Sequence, residues 1–441
     1  MRTFVLLVLV LVHTSFPTPA RAQDAGDAQQ QASLARLVND QVRRIEALER
    51  QLAELQRALK VLSAQPNGDP PQPDAVMAPE DEHQQPFEHA AGGSAPEDAD
   101  PESPAGDLPR AQPLDAYGSL RVAAAWDTKG HREIRNNATR LGLRGEKALT
   151  SWLTAFARVE VGVNMVANDR VILVTGDPGV PIGQGSQAIA SRLGLVGVET
   201  RAGNLSWGKQ WSSYYDVAEF TDVFQVFSGA ATGAFAAGTD GGIAGTGRAE
   251  RAFQYRETLG PVSGAVQVQS RSSSPNDRSF ADTWGASIVV DAGRGFGLGA
   301  AYNEVRDGVA MPTPNEPQLG DQATLYGLRY RTDRWYAAGS YSVLKQHEVD
   351  DLGRRYDGNG FELALRRILT DRWWLEAGYN DLSPNSNHPG DYRVRFGVGN
   401  AVYRFGDASR VFFGVKIEGS RRSDGSRLAE NAIAAGLNYT F

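Results

Sequence analysis

Six histidines and no cysteine set narrow limits on what the 441-residue chain can do chemically. His13 lies in an apolar N-terminal run, and His83 and His89 lie in a proline-rich stretch. His131, His347 and His388 fall in segments expected to be loops. With no histidine expected on a strand, a Ser–His or Asp–His pair built into a wall has no base, and an enzyme is not expected. The missing cysteines exclude disulfides, thiolate chemistry and cysteine-bound zinc. Asp350 and Asp351 are adjacent carboxylates that a divalent cation could use, but a solvated charge pair explains them as well. No cluster with metal-ligand spacing, phosphate-cradling glycine loop or nucleic-acid stripe stands out, so no metal, cofactor or nucleic acid is expected.

What the chain does offer is charge at alternate positions. Arg121, Arg140, Arg144, Arg158, Arg192, Arg329, Arg366, Arg393, Arg395 and Lys416 each sit one residue away from apolar neighbours. Four acids, Glu160, Glu362, Glu376 and Glu418, share that alternation. Successive side chains of a strand point to opposite faces, so each such stretch has one charged and one apolar side. Leu141, Leu143, Val159, Val161, Leu193, Leu195, Leu363, Val394, Phe396, Val398 and Phe413 are assigned to the apolar side. A soluble sandwich also alternates, so pattern alone does not say which side faces water.

The elements that would carry these residues begin near Asp115 and run to the C-terminus. Sixteen strands are expected, among them 116–127, 138–147, 152–164, 188–199, 204–211, 251–258, 358–369, 391–405 and 431–441. Short turns alternate with longer loops. The turn Thr-Asp-Arg-Trp occurs at Thr332–Trp335 and again at Thr370–Trp373, one hairpin and one long loop apart. The last strand places Ile433, Ala435, Leu437, Tyr439 and Phe441 on one face, and the chain stops on that aromatic ring. An all-β, 16-stranded antiparallel transmembrane β-barrel with interfacial aromatic girdles accounts for both the alternation and the ending.

The region before Asp115 reads differently. Residues 1–22 have the form of a secretory signal peptide, with Arg2, the apolar run Phe4 to Val12 and the cleavage-type Ala20-Arg21-Ala22. Residues 23–64 are expected to be a periplasmic segment whose part 32–63 is an α-helical coiled coil, with Val38, Ile45, Leu52 and Leu59 in one heptad row and Leu34, Gln41, Leu48, Leu55 and Leu62 in the other. Residues 65–114 form a Pro- and acid-rich linker expected to be disordered. Eleven acids against Arg110 give it a charge of −10 out of a chain total of −7, so the remainder is +3.

Several fragments resemble Gram-negative general porins: Thr139-Arg140-Leu141-Gly142-Leu143-Arg144-Gly145, Ser191-Arg192-Leu193-Gly194-Leu195-Val196-Gly197, the opening Tyr117-Gly118-Ser119-Leu120-Arg121 and the close Asn438-Tyr439-Thr440-Phe441. The coiled coil departs from the commonest porins and resembles the DcaP-type subgroup, associated with dicarboxylates and other anions. The resemblance implies a homotrimer in the outer membrane of a Gram-negative bacterium and a third loop folded into the lumen as a constriction opposite an arginine ladder. That loop would span about Ser212 to Glu250 and carry Asp216, Glu219 and Asp222. It also implies that Tyr439 and Phe441 form the signal read by the barrel-assembly machinery, and that lipid and lipopolysaccharide surround the wall. The expected function is passive diffusion of small hydrophilic solutes with a modest anion preference. The alternatives are a channel selective for dicarboxylates or sugars, and a barrel anchoring a coiled-coil tether to peptidoglycan.

Overall fold

The computed structural model describes residues 114–166, 189–227, 229–235, 242, 244–270, 282–306 and 320–441. The signal peptide, the coiled coil and nearly all of the linker lie outside the described residues.

Seventeen strands are ordered among the described residues. The first nine are β1 (Asp115–Asp127), β2 (Arg132–Asn136), β3 (Arg140–Thr150), β4 (Leu153–Val163), β5 (Ile189–Thr200), β6 (Gly203–Trp211), β7 (Arg248–Leu259), β8 (Val262–Gln269) and β9 (Thr283–Gly293). The rest are β10 (Phe296–Val305), β11 (Gln322–Arg331), β12 (Trp335–Val349), β13 (Arg355–Ile368), β14 (Trp373–Pro384), β15 (Val394–Arg404), β16 (Ser409–Glu418) and β17 (Ala432–Thr440). Each pairs antiparallel with its sequence neighbour from β3 to β17, and β1 closes the ring on β17 with Ser119 opposite Thr440 and Asp127 opposite Ala432.

The wall has sixteen positions because β2 and β3 share one. β2 pairs with Val122–Trp126 of β1 and β3 pairs with Asp115–Ser119. Between them Ala138 takes a positive φ of 65°, and Asn137, whose N–H still bonds to the Arg121 carbonyl, donates its side-chain amide to the Gln225 carbonyl at 2.9 Å. The expected single strand 138–147 is therefore the lower half of a broken one. A closed antiparallel ring leaves no unpaired edge, the condition for β-structure in lipid.

Turns of a few residues join the strands at the end that holds Asp115 and Phe441, and the long connections lie at the other. The seam is tight there: Gly118 N–H donates to the Phe441 carbonyl at 2.9 Å and Phe441 N–H returns to Gly118 at 3.0 Å. The outer face is apolar and open, with Leu141, Leu143, Val159, Leu298, Leu363, Leu375, Phe413 and Leu437 all exposed. An exposed apolar belt of that extent marks a lipid-facing wall. Aromatic rings border it at the terminus end, where Trp373 lies 4.9 Å from Tyr403 and Tyr439 lies 6.1 Å from Phe441.

Two strands present the opposite face from the one their alternation suggests. On β5 the register shifts at Arg192, so that Glu160 stands opposite Leu193 and Val161 opposite Ser191. This bulge keeps Arg192 on the inner side and turns Leu193 and Leu195 inward as well, where they pack with Phe156 and Trp211. On β15 Val394, Phe396, Val398 and Val402 are buried inside, and Arg393 and Arg395 take the outer face beside Asp381.

Candidate functional site

The segment between β6 and β7 lies inside the ring. It holds one short helix, α1 (Tyr215–Ala218), and its side chains Tyr214, Phe220, Val226 and Phe227 are buried. Its contacts reach almost round the barrel. Asp216 meets Arg256 on β7 and Ser287 on β9, Phe220 accepts from Tyr336 on β12, and Gln225 accepts from Asn438 on β17. Only a segment within the lumen touches so many strands of a closed ring. Glycines on the wall make room for it: a Cβ at Gly378 would collide with Phe224, and one at Gly360 with the Ala231 carbonyl.

Glu362 on β13 anchors the loop. Its Oε1 accepts from Ala231 N–H and its Oε2 from the Thr221 hydroxyl, both at 2.6 Å, with the residue 2% exposed. Glu376 on β14 adds a contact to Gln225 N–H at 3.4 Å, and Asn380 accepts from Ala230 N–H at 2.9 Å. The loop is thus fixed by wall carboxylates and amides that meet its backbone donors.

On another sector of the ring stands a basic cluster around one carboxylate. Glu160 on β4, 3% exposed, accepts from Arg192 Nε at 2.7 Å and from Arg158 Nη2 at 3.3 Å. The Tyr117 hydroxyl accepts from Arg158 Nε at 2.6 Å and donates to Glu160 Oε2 at 3.0 Å. Arg144 extends the cluster toward the terminus end, 3.5 Å from Asp115, with its guanidinium 6.0 Å from the centre of the Tyr117 ring. Register places Arg140 on the same face, opposite Ser119 and Gly162. A buried carboxylate is stable only when paired and hydrogen-bonded, and here that demand holds several guanidinium groups at one height of the lumen.

Asp216 and Asp222 on the loop are both engaged. Asp216 receives Arg256 Nη1 at 2.7 Å on both oxygens, and Asp222 accepts from the Tyr215 hydroxyl at 2.6 Å. Burial, together with the Asp216 carboxylate, pushes the Glu219 carboxyl up to about 8 against the pull of Arg329, Arg256 and Arg331. Such a group is neutral at pH 6 and ionised at pH 10, so anion preference is expected to fall by about two- to threefold over that range, the effect of roughly 0.5 kcal/mol for one nearby charge. The reversal potential in a salt gradient measures this. Glu219→Gln should abolish the pH dependence, and an unchanged titration in that variant would assign it elsewhere.

The remaining basic residues divide into three groups. Arg121 is buried on the inner face and donates to Ser119 Oγ at 2.6 Å. Arg329, Arg366 and Lys416 face inward but are covered. Arg329 lies 4.5 Å from the Phe220 ring centre, Arg366 is 3.1 Å from Glu376, and Lys416 is 2.7 Å from Glu418. Arg393 and Arg395 lie outside the lumen altogether, because β15 has the opposite parity. Sequence reasoning missed Arg256, which lies between Tyr255 and Glu257 without an apolar alternation to mark it, and Tyr117 as a member of the basic cluster.

His347 corrects the expectation that no histidine lies on a strand. It belongs to β12, fully buried, with Nδ1 2.5 Å from Asp321 Oδ1 and Nε2 2.7 Å from the Gly233 carbonyl. A carbonyl only accepts, so Nε2 carries the proton and cannot serve as a base; the pair ties the loop to the wall. Asp350 and Asp351 are likewise occupied. Asp350 accepts from Arg354 Nε at 2.6 Å and lies 3.1 Å from His388, and Asp351 accepts from the Ser423 hydroxyl at 2.6 Å. Among the described residues no group of three or more potential metal ligands comes together.

The likeness to known proteins agrees with this geometry. The family model described as Gram-negative porin matches residues 102–440. Outer membrane porin F of Xenorhabdus nematophila is 24% identical over 359 residues, covering 74% of this chain and 92% of that protein. Outer membrane porin protein OmpD of Salmonella typhimurium is 26% identical over 357 residues, with 74% and 91% covered. Among solved structures, Salmonella typhi OmpF in complex with daunomycin superimposes with a TM-score of 0.60 at 18% identity, covering 74% of this chain and 97% of that one. The outer membrane channel DcaP of Acinetobacter baumannii gives 0.54 at 13% identity, also with 74% and 97% covered. A closed sixteen-position barrel with an apolar outer belt, an inward-folded loop and a family match over most of its length identifies the chain as a member of the Gram-negative porin family, a channel of the outer membrane.

Proposed function

We propose that this diffusion channel works as a homotrimer and prefers small hydrophilic anions. The observation that carries the preference is the grouping of Arg140, Arg144, Arg158 and Arg192 around two carboxylates, Glu160 and Asp115, while Asp216 on the loop is bound by Arg256. Bases lining a narrow passage lower the barrier to anions. The acids of the loop oppose this weakly, so cations are still admitted. Planar-bilayer recordings across a potassium chloride gradient test the reading directly: a reversal potential of the sign set by chloride supports it, and one set by potassium refutes it.

In the same reading both chain termini of the barrel lie on the periplasmic side. The signal peptide 1–22 is removed, the linker 65–114 separates wall from coil, and residues 23–64 form a trimeric coil directed at peptidoglycan. Lipid and lipopolysaccharide surround the wall, and Tyr439 and Phe441 engage the barrel-assembly machinery. Removing Phe441 should cut the yield of heat-modifiable, folded barrel several-fold while secretion continues. The seam bonds to Gly118 would be lost together with the terminal ring. Undiminished folded protein on gels would count against this role.

A further inference from the structure

The inward-folded loop is bonded to the strand seam as well as to the strands it runs along. Going out, it meets β13 where the Thr221 hydroxyl donates to Glu362. Coming back, it meets β14 and β13 through the N–H groups of Ala230 and Ala231. Residues 225–227, between these points, are its tip. Gln225 is gripped from three directions. Its N–H donates to Glu376 on β14 at 3.4 Å, and its side-chain oxygen accepts from Asn438 on β17 at 2.8 Å. Its carbonyl accepts from the Asn137 side chain, just past β2, at 2.9 Å. Gln225, Asn137 and Asn438 are all buried.

The wall is shaped to receive this tip. Asn136 stands opposite Val122 and Arg140 opposite Ser119, so residues 137–139 face only Leu120 and Arg121 of β1. One extra residue in a strand reverses its parity, and here it turns both Asn137 above the break and Arg140 below it into the lumen. Thr139 repairs the interrupted ladder, its hydroxyl accepting from Arg121 N–H at 2.9 Å. On the loop side Phe227 takes a positive φ of 61°, an outlier for a bulky residue, and reverses the chain directly after Gln225 and Val226. Val226 and Phe227 are buried in one cluster with Phe412 of β16, and the Val226 carbonyl accepts from Asn400 on β15 at 3.4 Å. A bulge in the wall and a left-handed turn in the loop thus meet at one residue.

Burial along the inner wall follows the tip. Arg121 and Arg135, on the inner face of β1 and β2 beside it, are buried. Arg144, Arg158 and Arg192, on β3 to β5, are not. Beyond β16 the tip is bonded to the wall by the side-chain amides of Asn438 and Asn137. Neutral hydrogen bonds of this kind are directional and individually weak. Removing them releases the tip while the strand ladders of β17, β1 and β2 stay paired.

We propose that Gln225 is a positioning residue that sets the size limit of this channel: with Asn137 and Asn438 it latches the loop tip to the strand seam and shuts the lumen along β17, β1 and β2. Solutes are then confined to the side of β3 to β6. The bulge at residues 137–139 is the receptor of the latch, since a strand without it could not present Asn137 and Arg140 to the lumen together. The inference needs only a channel and holds whichever ion the pore prefers.

Single-channel recordings of the full-length protein test the latch, with liposome swelling in sugars of increasing size as the second measurement. One neutral hydrogen bond shifts a two-state balance by about fivefold. Asn137→Ala and Asn438→Ala should each raise the time spent at a wider conductance level by that factor, and the two together by about twenty-fivefold. Sugars that the wild type excludes should enter through the double variant. Gln225→Ala removes the acceptor of Asn438 and keeps the carbonyl that Asn137 reaches. Adding it to Asn438→Ala should therefore change nothing further, whereas adding it to Asn137→Ala should multiply the effect. A general loss of stability would not produce that pattern. The chain has no cysteine, so Gln225→Cys with Asn438→Cys can be joined by a short bis-methanethiosulfonate. Joining should suppress the wider level, and reduction should bring it back. Should the double alanine variant fail to assemble, the two single variants carry the test. Unchanged occupancy of the wider level and unchanged sugar entry in the variants that assemble would overturn the proposal, as would a joined cysteine pair that still opens.

Discussion

Replacing Arg140, Arg158 and Arg192 together by glutamine is expected to shift the channel's permeability ratio toward cations by about tenfold in dilute salt. At about 8 Å from the path of an ion in a water-like medium, one unit charge is worth roughly 0.5 kcal/mol, so three approach the ~1.4 kcal/mol of a tenfold change. Arg158 and Arg192 are the bonded partners of Glu160, and their loss leaves that buried carboxyl with the Tyr117 hydroxyl, so the cluster's positive charge at that height is removed. The shift should shrink to about two- or threefold at 1 M salt, where the Debye length falls from about 10 Å at 0.1 M to about 3 Å. Reversal potentials at several salt concentrations measure it. A triple variant with the wild-type reversal potential at low salt would mean that other residues set selectivity.

A second large effect is expected at Glu362, and it concerns the position of the loop more than its charge. Glu362→Ala leaves the buried Ala231 N–H without its acceptor, and leaves the Thr221 hydroxyl with only the longer contacts to Ser340 Oγ at 3.3 Å and the Ala218 carbonyl at 3.5 Å. The orphaned amide costs about 1–3 kcal/mol and the weakened hydroxyl contact adds about 1 kcal/mol at most, so a loss of about 1–4 kcal/mol in stability is expected. Because both donors lie on the inward-folded segment, its anchor should fail before the wall does. Single-channel current should become noisier, and larger solutes should pass in liposome swelling. Glu362→Gln retains one acceptor oxygen and should show about half the effect. Quiet channels with unchanged solute exclusion in the alanine variant would show that Glu376, Asn380 and the apolar contacts hold the loop without it.

The sequence by itself determined the barrel, because a wall between lipid and water imposes a period of two on every strand. Leu141 and Leu143 outside with Arg140 and Arg144 inside is that demand in its plainest form. The repeated Thr-Asp-Arg-Trp turns marked hairpin ends, and the length from Ser212 onward marked the segment that leaves the wall. Alternation says that a strand has two unlike faces, but it does not say which face is inside. On β15 both parities are credible from sequence, valine and phenylalanine on one and arginine on the other. Tertiary packing decided between them: Phe224, Val226 and Phe227 of the inward loop need an apolar wall, and Val394, Phe396 and Val398 supply it within one buried cluster. One extra residue at Arg192 turned Leu193 and Leu195 inward, since a single bulge reverses parity for the rest of a strand. The partners of Asp216, Asp222, Glu362 and His347 were beyond sequence for a related reason. Asp222 is held within its own loop by Tyr215, but Asp216, Glu362 and His347 are each bound by a residue distant in the chain, at a distance set by where the loop crosses the lumen, and closure of the ring brings those groups together.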